Sequence, residues 1–119
     1  MANISFADGL IYALNTEQKK IKLPICIQEK IKEITYDDSY LKENETGLDD
    51  IFYVFYARGK YTYGNTLLAH AADLKDMIRE SEHLEDIVFH FKDKEENLGV
   101  HYVCKYSIME GEIEYKKIG

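Results

Sequence analysis

Ile51-Phe52-Tyr53-Val54-Phe55-Tyr56-Ala57 is the stretch on which the fold turns. Both faces of this run are apolar or aromatic, which places it centrally in a sheet. Arg58-Gly59-Lys60 follows as a tight turn, and Tyr61-Thr62-Tyr63 returns as the second strand of an aromatic hairpin. Gly64-Asn65-Thr66 then caps a helix over about 65–81. Leu67, Ala71, Leu74 and Ile78 form its apolar stripe, with Asp73, Asp76, Arg79 and Glu80 on the other side.

Beyond that helix the chain reads as antiparallel strands at Ile87–Lys92, Val100–Ile108 and Ile113–Lys116. The turns fall at Lys92–Gly99 and Glu110-Gly111. Before the central strand, Tyr36–Asp50 has a loop's composition and little periodicity. Pro24 is suited to a first helical turn, and Ile27, Ile31 and Ile34 recur at helical spacing. A short helix over about 24–34 follows, with a strand as the alternative because the isoleucines are β-branched.

The first residues admit two readings. Leu10, Tyr12 and Leu14 alternate along one strand face and Ile21 and Leu23 along another, giving a hairpin around Asn15–Lys19. The rival is a helix over Phe6–Asn15 with Ser5 as its cap, in which Gly9 would cost about 1 kcal/mol relative to alanine. The hairpin is preferred. The expectation is a single α+β domain over residues 1–119: an antiparallel sheet of about four to six strands with one main helix packed on a face.

Composition restricts the function. Fifteen basic residues stand against 22 acidic ones, for a net charge of −7. No basic run is long, which argues against direct binding to nucleic acid. No apolar run approaches the roughly 18 residues of a membrane span. Cys26 and Cys104 lack metal or redox spacing and read as packing thiols in a reducing cytoplasm. Glycine-rich phosphate loops and the common hydrolase, zinc and EF-hand patterns are missing from the sequence, so neither metal nor cofactor is expected.

Two features remain. Asp37, Asp38, Glu43, Glu45, Asp49 and Asp50 make an acidic segment, and Tyr53, Arg58, Tyr61 and Tyr63 supply an aromatic hairpin with a cation. Tyrosine and arginine dominate interface hot spots, and acids steer a basic partner. These residues point to a non-enzymatic protein-binding module acting on a basic protein, in the manner of an inhibitor or immunity-type protein of phage or toxin-locus origin. One alternative is a self-assembling homodimer. Another is a small metal-dependent enzyme in which His90 and His101 meet across paired strands.

Overall fold

A computed structural model describes residues 4–34, 40–45, 51–60, 62–95 and 99–118. In chain order it contains β1 (Ile4–Leu14), β2 (Lys20–Ile21), α1 (Ile25–Glu33), β3 (Tyr40–Glu45), β4 (Ile51–Lys60), α2 (Tyr63–Glu80), β5 (Asp86–Glu95), β6 (Val100–Ser107) and β7 (Ile113–Lys117). The strands form a 7-stranded antiparallel sheet in the order β3-β4-β1-β5-β6-β7, with β2 paired to β1 off this path. The mixed α+β class agrees with the sequence reading. The preferred hairpin is also present, although its first strand is the longest of the sheet and its second has only two residues.

Side chains alternate along each strand, so the register sorts them into two faces. On β1 the helix face carries Ser5, Ala7, Gly9, Ile11 and Ala13, and the opposite face carries Phe6, Asp8, Leu10, Tyr12 and Leu14. Apart from Ile11, small residues therefore lie under the helices and the large ones look the other way. Tyr53, Phe55, Ala57, Ile87, Phe89, Phe91, Cys104 and Tyr106 complete the buried sheet surface. Leu67, Ala71, Leu74 and Ile78 of α2 pack on it, joined by Ile27 and Ile31 of α1. This is the stripe that the helical spacing implies.

Three segments differ from expectation. The Arg58-Gly59-Lys60 turn does not form, because β4 continues through these residues opposite Phe6, Ser5 and Ile4. Gly59 is required there for close approach: a Cβ would stand 2.7 Å from Tyr63 Cα. Tyr63 is not a returning strand but the first residue of α2, whose N-cap is Thr62. The Thr62 hydroxyl accepts the Asn65 N–H at 3.2 Å. Finally, part of the loop read over residues 36–50 is strand β3, a polar edge strand paired to β4.

Among the described glycines Gly9 is the most closely approached, between Phe55 on β4 and Phe91 on β5. A Cβ at this position would overlap the His90 carbonyl oxygen and stand 2.6 Å from Phe91 Cα. Backbone atoms of a central strand have little freedom to yield. Gly9→Ala is therefore expected to cost about 1–3 kcal/mol or more, read as a lowered urea midpoint with unchanged slope. An unaltered midpoint would show that β1 and β5 do not approach in this way.

Candidate functional site

The helices cover one face of the sheet. Among the described residues no helix or loop is packed across the other, and apart from Val88 its large apolar groups stay partly open to water. Phe6, Tyr12, Phe52, Val54 and Tyr56 are half-buried there, Leu10 is 38% exposed and Val103 41%. Isolated exposed apolar residues are ordinary, whereas a contiguous set on one face marks an interaction site.

The rings form two groups on β1 and its neighbours. Phe6 stacks with Tyr56 at 6.2 Å between centroids, and the Arg58 guanidinium lies 5.5 Å over the Phe6 ring. Tyr12 stacks on His90 at 5.5 Å, donates or accepts one hydrogen bond with its Nε2 at 3.1 Å, and lies 4.9 Å beneath the Lys20 ammonium. Burial, then the charges of Lys105 and Lys20, hold the His90 pKa below its ordinary value, so the imidazole is neutral at pH 7. Each group joins flat rings to a cation in cation–π geometry.

Cations surround these rings. Register and alternation put Lys42 of β3 beside Val54, and Lys92 and Lys94 of β5 beside Asp8 and Phe6. Lys105 of β6 lies opposite His90, and Lys116 of β7 opposite Val103. With Lys20 and Arg58 these make seven described cations on the open face, against the carboxylates of Asp8, Asp86 and Glu114. Asp86 is itself engaged, accepting hydrogen bonds from the Ser107 hydroxyl and from the Ile87 and Met109 N–H groups. In a chain of net charge −7, cations outnumber acids among the described residues of this face.

Two adjoining clefts run across the cationic half. One, of about 370 Å³, is lined by Asp8, His90, Lys92 and Val103 among others. Its neighbour, of about 260 Å³, shares His90 and Val103 and adds Lys105, Glu114 and Lys116.

Of the residues expected to bind a partner, the described ones, Glu43, Tyr53, Arg58 and Tyr63, do not share one exposed surface. Tyr53 and Tyr63 are core residues, at 1% and 0% exposure, and present no ring to a partner. The Tyr53 hydroxyl accepts the Leu23 N–H at 3.0 Å. Burial raises the pKa of both phenols. Glu43 sits 3.7 Å from the Lys22 ammonium, and Arg58 belongs to the open face described above. Asp37, Asp38, Asp49, Asp50 and Tyr61 lie outside the described residues, as does the side chain of Glu45.

His90 and His101 share the open face but do not meet. His90 opposes Lys105 and His101 opposes Lys94, a separation of about 13 Å along the strands. Among the described residues no group of three or more His, Cys, Asp or Glu is arranged to hold a metal ion. Cys104 is a buried packing thiol, with its pKa pushed up to about 12 by burial and by the charge of Asp93. Cys26, expected to be packed, is exposed on α1. No described helix is long and apolar enough to cross a membrane.

No protein-family model, curated protein or solved structure matches this chain.

Proposed function

We propose that the chain is a non-enzymatic binding module whose working surface is the open face of its sheet, and that the partner is anionic. The observation that carries this reading is the gathering of seven described cations and two ring groups on one face of a molecule whose net charge is −7. A positive face raises the local concentration of an anionic partner and orients it, while exposed rings supply contact area. The basic partner suggested by the acidic segment has no comparable surface behind it among the described residues.

Retention on a heparin column at pH 7 tests the reading directly. The wild-type chain is expected to be retained in spite of its net charge and to elute with salt. A Lys92→Glu, Lys105→Glu double variant should flow through, since it reverses two charges at the clefts. A Lys30→Glu, Arg79→Glu control on the helices should elute close to wild type, because those cations already face Asp73 and Asp76. Wild-type protein in the flow-through, or equal elution of both variants, would refute the proposal.

A further inference from the structure

We infer that the open face binds single-stranded nucleic acid, with unpaired bases stacking on its rings and phosphates meeting its lysines. The inference rests on the binding reading above and names its partner. Three features of the face carry it.

The rings are flat and sit near the two ends of the central strand. Phe6 and Tyr12 are six positions apart on β1, or about 20 Å. A single strand spanning that distance meets a ring group at each end, Phe6 with Tyr56 and Tyr12 with His90, where a stacking base displaces the Arg58 and Lys20 side chains that lie over Phe6 and Tyr12. Every base has a π-face, so stacking of this kind tolerates sequence. In a duplex the bases already stack on one another and have no face to offer such a platform.

The second feature is the placement of charge. Lys92, Lys94, Lys105 and Lys116 are exposed on three adjacent strands beside the rings. Among the described residues none of these four is ion-paired with an acid. Lys92, Lys105 and Lys116 line the two clefts and Lys94 lies opposite Phe6, so a backbone lying along them would set its phosphates against ammonium groups while its bases turn toward β1. No long basic run is needed, because the antiparallel register gathers lysines that are scattered in sequence.

The third feature excludes another copy of the chain. Two such faces apposed about a twofold axis would bring like charge against like charge. An acidic protein satisfies the lysines but has no general use for paired flat rings, and it remains an outcome of the test.

Fluorescence anisotropy with a labelled 12-nucleotide oligo(dT) is the decisive measurement. The unlabelled competitors are a duplex of the same length, polyphosphate and poly-glutamate. The single strand is expected to bind at least tenfold tighter than any competitor. Four lysine–phosphate contacts would weaken it about 50-fold between 50 and 200 mM salt. A Phe6→Leu, Tyr12→Leu variant keeps the apolar volume and removes the ring faces. It should lose about five- to a hundredfold in affinity for the single strand, with its unfolding midpoint showing that it still folds. Equal binding of duplex or polyphosphate, or an undiminished leucine variant, would overturn the stacking inference and leave an anion-binding face. Tighter binding of poly-glutamate would reassign the partner to an acidic protein. Failure to bind any polyanion would remove the binding reading as well.

Discussion

Phe55→Ala is expected to cost about 3–5 kcal/mol of stability. Phe55 is 1% exposed at the centre of the helix-covered face. Its ring centroid lies 5.8 Å from Tyr63, 5.9 Å from Phe89 and 6.1 Å from Phe91. The Phe89 and Phe91 contacts are edge-on, the geometry favoured by the charge distribution of an aromatic ring. Tyr63 and Phe91 also meet edge to face, so the other three rings cannot close the space without losing contacts among themselves. A domain of this size holds only about 5–15 kcal/mol in total. The loss should bring the urea midpoint down by a large fraction, and Phe55→Leu should recover part of it. A change below about 1 kcal/mol for the alanine variant would mean that the four rings are not packed as described.

Asp93→Ala should be the next most damaging change. Asp93 is 1% exposed on β5, and its two carboxylate oxygens accept the N–H groups of Tyr63 and Gly64 at 3.2 and 3.1 Å. The carboxylate therefore fastens the first turn of α2 to the sheet, where the helix dipole favours a negative charge. Truncation strands two buried donors at about 1–3 kcal/mol each, offset in part by relief of the buried charge.

The pH dependence at this site has a definite sign. Burial raises the Asp93 pKa above its ordinary 3.8, and the two backbone hydrogen bonds lower it by less. A raised carboxyl pKa means that the fold prefers the protonated form. Its contribution is greatest below 3.8 and declines as pH rises through the folded value. Asp93→Asn keeps one acceptor and cannot ionise, so at pH 7 it should fall between wild type and the alanine variant. The stability difference between wild type and Asp93→Asn should shrink as pH rises above 3.8. A difference that grows with pH instead would mean that the N–H groups outweigh burial.

How far these features can be read in the sequence depends on which forces fix them. The run Ile51–Ala57 is legible because both of its faces are apolar, and α2 because its stripe has a single period. Strand β3 is not, since Lys42 and Glu43 are ordinary residues for a polar edge that pairs on one side only. Arg58-Gly59-Lys60 has a turn's composition, but Gly59 answers to the approach of the Tyr63 backbone. Tyr63 follows a strand-like pattern and is drawn into the helix by Asp93, thirty residues away.

The open face was the least legible part. Phe6, Leu10 and Tyr12 look like a core stripe until the helices are seen to rest on Ala7, Gly9 and Ala13. Lys92, Lys105 and Lys116 are unremarkable one by one, and only the pairing of β5, β6 and β7 makes them neighbours.

The central position of β1 also bears on how the protein is made. Gly9 is held by Phe55 on one side and Phe91 on the other, so the first strand of this sheet receives its β5 partner late. At about 5–20 residues per second, β1 waits on the order of ten seconds on the ribosome before β5 exists. Through that interval the edge of β1 that β5 will occupy is unshielded, even after β4 has paired with the other. Pairings so distant along the chain also slow the closing of the sheet. Nascent chains of this protein are thus most exposed to misassociation before residue 95 has been added.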